Sequence, residues 1–208
     1  MFTGLIECTV QLLQREPLGA AGSGAVLRLS VPQLGPGQVP WEPVLGESIA
    51  ISGCCLTLAR LGPGGELEFE LSRETLEVTW LDDLREGQRV NLERSVRLAD
   101  RMGGHMVSGH VDAVGQVVEI RDSGDQGRDF VFEVPAGFER YLVPKGSVTI
   151  DGISLTVVKP EGRRFQVAVI PETLQRTSLG SAAVGDRVHL EADLIGKWVE
   201  RLLAYRSE

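Results

Sequence analysis

Alternation is the dominant pattern of the chain. In 66–72, Leu67, Phe69 and Leu71 alternate with Glu66, Glu68 and Glu70, the period-two signature of a half-buried strand. Phe130, Phe132 and Val134 do the same in 129–134, and Phe165, Val167 and Val169 in 165–169. Chain breakers separate such runs: Gly35-Pro36-Gly37, Gly62-Pro63-Gly64-Gly65, Asp122-Ser123-Gly124 and Lys159-Pro160-Glu161-Gly162, residues whose backbone preferences end strands and reverse the chain. One segment has a different period. Leu194, Ile195, Trp198, Val199, Leu202 and Leu203 recur at helical spacing, which predicts an amphipathic helix over 194–205.

The pattern repeats. SIAISGCCLTL at 48–58 lies over SVTIDGISLTV at 147–157 at a shift of 99. ETL at 74–76 lies over 172–174, and GQRVNLE at 87–93 over GDRVHLE at 185–191, both at a shift of 98. TGLIE at 3–7 resembles SGHVD at 108–112 at a shift of 105. Four blocks in one order indicate a tandem duplication. The expected units are 1–95 and 96–193, with a helix at 194–208 whose apolar stripe needs a surface to cover it. Each unit reads as about six short strands, the spacing of a small closed barrel or sandwich, with each ETL opening a short helix. The fold class is all-β.

Charge and composition narrow the function. The chain of 208 residues carries a net charge of −8, which argues against general affinity for nucleic acid or an anionic membrane surface. Three cysteines, two of them adjacent, make no disulfide framework and point to a reduced, cytoplasmic chain. MFTGLIECTV lacks the basic and apolar regions of a signal peptide. No apolar run approaches the roughly 18 residues of a membrane helix. The glycines of 19–24 fit a hairpin tip better than a nucleotide fingerprint. His105 and His110 lie five apart, which is not a zincin spacing, so no metal is expected. GxSxG and GxxxxGK[ST] are absent.

What remains are small polar residues at matched places: Ser48 with Ser147, Cys55 with Ser154, Thr57 with Thr156. They either satisfy β-turns or line a pocket for a polar planar molecule, and their recurrence favours the pocket. The halves also differ. His110 stands where the first half has Leu5, and Asp151 where it has Ser52.

MFTGLIE, GCCLT at 53–57, GGHMVSGHVD at 103–112, DGISLTV at 151–157, IPETLQRTSLG at 170–180 and DLIGKWVERLL at 193–203 together resemble the riboflavin synthase family with two lumazine-binding domains. The resemblance spans nearly the whole chain. It implies two six-stranded Greek-key barrels, a homotrimer joined through the C-terminal helices and an association with lumazine synthase. The implied reaction is the dismutation of two 6,7-dimethyl-8-ribityllumazine molecules to riboflavin and 5-amino-6-ribitylaminouracil, with no cofactor.

Carried over by position, the N-terminal pocket uses Gly4, Leu5 and Ile6, Cys54, Cys55 and Leu56, with Ser48 and Thr57 near and Glu70, Leu71, Ser72, Arg73, Glu74 and Thr75 closing it. The C-terminal pocket uses Ser108, Gly109 and His110, Lys145, Ile153, Ser154, Leu155 and Thr156, closed by Val169, Ile170, Pro171, Glu172, Thr173 and Leu174. His110 is the expected proton-transfer group, and Ser154 and Cys55 are candidate reacting groups. Cys55 adds to the acceptor ring or simply walls the pocket. Phe2 covers a ring or belongs to the core. Asp193 orients a proton relay or caps the following helix. Where the family carries Asn or Asp before the glycine of the N-terminal motif, this chain has Ser52, whose shorter side chain either weakens ligand hydrogen bonding or invites a water. A non-catalytic lumazine- or flavin-binding protein is the alternative, but Lys145, Asp151, Ser154 and Thr156 in the second half favour the enzyme. A purely structural barrel oligomer explains the helix but not the matched polar residues.

Overall fold

The computed structural model describes residues 1–19, 23–33 and 41–206. The first barrel is built from β1 (Cys8–Leu18), β2 (Gly24–Leu29), β3 (Ser48–Ile51), β4 (Cys54–Leu61), β5 (Leu67–Leu71) and β6 (Arg89–Arg94), closed in the Greek-key order β1-β2-β5-β4-β3-β6. The second contains β7 (Ala113–Asp122), β8 (Arg128–Glu133), β9 (Ser147–Ile150), β10 (Ile153–Thr156), β11 (Val158–Glu161), β12 (Arg164–Val169) and β13 (Arg187–Ala192). Its order, β10-β9-β13-β7-β8-β12-β11, is the same ring with the fourth strand broken at Val157. That break makes seven segments where six strands are expected.

The duplication extends to details. β1 is bulged between Leu12 and Gln14, and β7 between Val117 and Glu119. α1 (Arg73–Val78) and α2 (Pro171–Arg176) each contain the ETL triplet, and α3 spans Leu194–Tyr205. Ser72 caps α1 by accepting from the Thr75 amide at 3.2 Å, as an N-cap serine does. The inward residues of each period-two run form two cores. One gathers Val10, Leu27, Ile51, Leu58, Phe69 and Val90. The other is organised by stacked Phe130, Phe132 and Phe165, with centroids 5.9 and 5.6 Å apart.

Two expectations need adjustment. Glu68, on the polar side of its strand, is buried because Arg28 and Arg60 both reach its carboxylate. Lys159, Pro160 and Glu161 lie in β11 rather than in a turn. That segment ends the sheet order, so the missing proline N–H costs no ladder bond. Gly35-Pro36-Gly37 and residues 20–22 of the glycine-rich tip fall outside the described residues.

The two barrels meet about an approximate twofold relation. Phe2 and Val107, equivalent in the repeat, form an antiparallel bridge with each other. Ser52-Gly53 and Asp151-Gly152 join β3 to β4 and β9 to β10, with φ of 43° and 84° in one and 46° and 80° in the other. These are two-residue hairpin turns with both central residues left-handed. The turns touch each other. A Cβ on Gly53 would sit 2.6 Å from the Gly152 nitrogen, and one on Gly152 would sit 2.7 Å from the Gly53 nitrogen. Left-handed strain and displaced backbone together predict that Gly53→Ala lowers stability by about 2–5 kcal/mol, read as a shifted urea midpoint. An unchanged midpoint would mean that this contact does not hold the barrels.

Candidate functional site

The segment before each barrel is anchored on its own barrel and delivered to the other. Glu93 in β6 accepts from the Thr3 amide at 2.7 Å, the Thr3 hydroxyl at 2.7 Å and the Gly4 amide at 3.0 Å. Glu191 in β13 accepts from the Ser108 amide at 2.6 Å, the Ser108 hydroxyl at 2.7 Å and the Gly109 amide at 3.0 Å. Burial pushes the Glu93 carboxyl above the usual range, against the pull of those donors. Past the anchors the chains cross. The Gly4 carbonyl accepts from the Ser154 amide at 2.8 Å, and the Gly109 carbonyl accepts from the Cys55 amide at 2.7 Å. Ile6 packs on the second core and Val111 on the first.

Within the chain, Gly4 thus contacts Ser154 and Ile6 the second core, while Gly109 contacts Cys55 and Val111 the first core. The cause is the Phe2–Val107 bridge, which sends the two segments past each other across the interface. Each cluster is therefore composite, with a strand from one barrel and an entry segment from the other.

The Ser154 cluster contains a residue that the repeat comparison passed over. His105 Nδ1 lies 2.7 Å from Ser154 Oγ, and its Nε2 lies 3.2 Å from Thr149 Oγ1. Its backbone amide donates to the Thr3 carbonyl at 3.2 Å. Burial lowers the imidazole pKa, against the opposing charges of Asp193 and Glu191. A neutral imidazole on a half-buried serine hydroxyl can take up or relay a proton near neutral pH. The available signal was the first histidine of GGHMVSGH. It lies upstream of the repeated block 108–112, so comparing the matched blocks did not flag it.

The Cys55 cluster is built differently. Ala50 faces Cys55 across the ladder, where Thr149 faces Ser154. Cys55 packs on Phe2, Ala50 and Val107. Phe2 is fully buried and packs beneath Cys55. Cys54 and Cys8 point into the first core, and burial pushes both thiols up to about 12, which leaves them inert as nucleophiles at neutral pH. His110 is exposed, with its amide donating to Ser108 Oγ at 3.3 Å.

The remaining expected residues fall around these clusters. Ser48 pairs with Thr57, and Ser147 with Thr156. Leu56 is buried, whereas Leu155 is half-buried. Lys145 is exposed, and its amide donates to the Val157 carbonyl at 2.9 Å. The β4–β5 register Leu58–Phe69, carried on, puts Leu71 beside Leu56. Val169 ends β12, pairs with Arg128 and is buried in the second core. Glu70 pairs with Val26, and Arg73, Glu74 and Thr75 follow in α1. Ile170 is exposed and Leu174 packs on the second core, with Pro171, Glu172 and Thr173 opening α2. Asp193 caps α3, accepting from the Ile195 amide at 2.9 Å, and its charge also bears on His105. Ser52 is fully buried and its Oγ accepts from the Asn91 amide at 3.1 Å. Its hydroxyl is thereby engaged in holding the turn against β6.

Ile195, Trp198, Val199, Leu202 and Leu203 of α3 are exposed. Between α3 and the Tyr141–Val143 stretch opens a largely apolar groove of about 720 Å³, bordered by Ser147 and Asp193. It thus lies next to the Ser147–Thr156 end of the second cluster. No described helix is long and apolar enough to cross a membrane.

The chain matches the lumazine binding domain family twice, over residues 3–95 and 108–193. It is 45% identical over 206 residues to the riboflavin synthase of Mycobacterium tuberculosis (strain ATCC 25618 / H37Rv), covering 98% of each chain. The riboflavin synthase of Escherichia coli (strain K12) is 38% identical over 212 residues, with 100% of this chain and 95% of that one covered. Among solved structures, LumP complexed with riboflavin superposes with a TM-score of 0.79 at 18% identity, over 92% of this chain and 99% of that one. LumP complexed with 6,7-dimethyl-8-(1'-D-ribityl) lumazine gives a TM-score of 0.77 with the same coverage. At that identity the likeness establishes the fold alone.

Behind the two clusters lies a buried acid–imidazole pair. Asp151 Oδ1 accepts from the His189 amide at 2.8 Å and from Trp80 Nε1 at 2.9 Å. Burial pushes the Asp151 carboxyl up to about 7 and the His189 imidazole down to about 4. Between about pH 4 and 6.5 the folded pair carries its one proton on Asp151, while the unfolded chain carries one on the histidine. Equal proton counts leave stability flat in that window. Asp151→Asn removes the compensation, because the unfolded chain then binds more protons than the folded one. Its unfolding free energy is expected to fall as pH drops from about 6.5 to about 4 relative to wild type, followed by urea unfolding at stepped pH. Parallel curves for the two proteins would overturn the assignment.

Proposed function

Because the chain belongs to the riboflavin synthase family, with a lumazine-binding domain in each half, we propose that it converts two molecules of 6,7-dimethyl-8-ribityllumazine into riboflavin and 5-amino-6-ribitylaminouracil. A four-carbon unit passes from one lumazine to the other. The observation that carries the residue-level reading is the composite Ser154–His105–Thr149 cluster. The C7 methyl of the lumazine is acidic because its carbanion delocalises into the ring, so the protein needs a base of moderate strength and a fixed geometry. His105, kept neutral by burial and joined to Ser154 Oγ, takes that proton. Hydroxyls of Ser154, Thr156 and Ser147 and the backbone of the Gly4 segment hold the polar edge of the substrate.

The Cys55 cluster, with the exposed His110 beside it, holds the second lumazine. Cys55 is its polarisable wall, and His110 returns or removes protons on that ring. Two rings held face to face turn a bimolecular encounter into a positioned one, worth up to about 7–11 kcal/mol. Residues 1–95 and 96–193 are the two lumazine-binding units. The reacting pair lies between the first barrel of one chain and the second barrel of its neighbour in a cytoplasmic homotrimer built on α3, with lumazine synthase as a further partner. The exposed apolar face of α3 and the groove beside the Ser147–Thr156 strands support that arrangement.

Incubation with 6,7-dimethyl-8-ribityllumazine alone is expected to yield one riboflavin for every two lumazines consumed, followed by absorbance. Binding without riboflavin formation would leave a lumazine-binding protein. His105→Ala and Ser154→Ala are each expected to lower kcat by about 10²–10⁴-fold, and full turnover in both would remove the proton-transfer role. Trp198→Glu is expected to dissociate the trimer, seen by sedimentation, and to abolish turnover at low protein concentration. A monomeric wild-type chain with full activity would contradict the shared site.

A further inference from the structure

The two turns that carry the cluster strands are held by different side chains in equivalent roles. Asn91 and His189 are repeat equivalents, as are Asp151 and Ser52, and Ser178 and Trp80. Asn91 reaches into the second barrel. Its Nδ2 donates to the Asp151 carbonyl at 2.8 Å, and its Oδ1 accepts from the Ser178 amide at 2.7 Å. His189 reaches into the first barrel, where Nδ1 lies 2.7 Å from the Ser52 carbonyl and Nε2 lies 2.9 Å from the Trp80 amide nitrogen.

The partners fix the tautomer. A backbone amide only donates, so Nε2 accepts and the proton sits on Nδ1, pointing at the Ser52 carbonyl. A neutral imidazole in that form presents one donor and one acceptor, as a carboxamide does. Trp80 lies flat on the ring, with centroids 4.7 Å apart at 19°, and Ser178 offers no such contact. The charged groups that face His189 are Asp151, with Oδ1 3.8 Å from Nδ1, and Arg187 two residues away on β13.

Ser52 and Gly53 run directly into Cys54 and Cys55, and Asp151 and Gly152 run into Ile153 and Ser154. We propose that His189 is a positioning residue for Cys55, acting through the Ser52 carbonyl, and that Asn91 positions Ser154 through the Asp151 carbonyl. Each barrel thereby sets the strand that its partner barrel offers to the substrate. The proposal rests on Cys55 and Ser154 being substrate contacts. The test keeps the two ideas apart, because it includes a readout that needs no substrate.

That readout is the thiol. Cys55 is half-buried, while Cys8 and Cys54 are buried, so 5,5′-dithiobis(2-nitrobenzoate) titrates Cys55 first in the native protein. His189→Leu leaves the Ser52 carbonyl and the Trp80 amide without partners, and is expected to change the Cys55 labelling rate and lower kcat by about tenfold to a hundredfold. Asn91→Leu is expected to lower kcat while leaving the Cys55 labelling rate at the wild-type value. His189→Asn supplies a donor and an acceptor, as Asn91 does, and is expected to restore both readouts. If His189→Leu fails to fold, His189→Asn decides: wild-type labelling and turnover support the proposal, and loss of either overturns it. Equal acceleration of labelling by both leucine variants would also overturn it, since that marks general loosening. A wild-type protein that makes no riboflavin defeats the proposed function, while the labelling pattern still decides the role of His189.

Discussion

At Gly53 and Gly152 two polypeptide backbones meet with no side chain between them, and the rest of the interface is arranged around that approach. Each glycine sits in a left-handed turn at a distance that leaves no room for a Cβ. A turn buried this deeply must satisfy its polar groups inside the protein. Asn91, His189, Ser52 and Asp151 do so by reaching across or along the contact. The Phe2–Val107 bridge lies on the same approximate axis and turns the two entry segments toward opposite barrels. Neither cluster is therefore complete within one unit, even though each unit has its own core.

Duplication explains the geometry, and divergence explains the chemistry. The same scaffold position holds Ser154 in one half and Cys55 in the other, Thr149 in one and Ala50 in the other, Leu5 in one and His110 in the other. One cluster thus acquires a hydroxyl–imidazole chain, and the other a soft thiol over an aromatic floor. A dismutation uses two copies of one substrate in unequal roles, and it needs this kind of asymmetry between otherwise equivalent pockets. The two interface clasps diverged in side chain but kept their donor and acceptor pattern, because the backbone groups they serve did not change.

Much of the fold was legible in the chain. Alternating Leu67, Phe69 and Leu71 marked β5, the stripe from Leu194 to Leu203 marked α3, and the four repeated blocks marked two barrels. Errors arose where local pattern and tertiary role separate. Pro160 reads as a turn but is tolerated at the end of a sheet order. Glu68 reads as solvent-facing but is covered by two arginines. The crossing of the entry segments could not be read at all, since periodicity fixes which face of a strand is buried and not which barrel a preceding segment will touch. His105 escaped for a related reason: comparing the halves rewards residues inside the repeated blocks, and it lies just upstream of the block 108–112.

If each substrate pocket combines a strand of one barrel with the entry segment of the other, a crystal structure of the protein with riboflavin bound will show it. A flavin touching Ser154 is then expected to lie against Gly4, Leu5 and His105 as well, and one touching Cys55 against Gly109 and His110. A flavin held by Ser154 together with Gly109 and His110 of the same chain, with the Gly4 segment elsewhere, would contradict it.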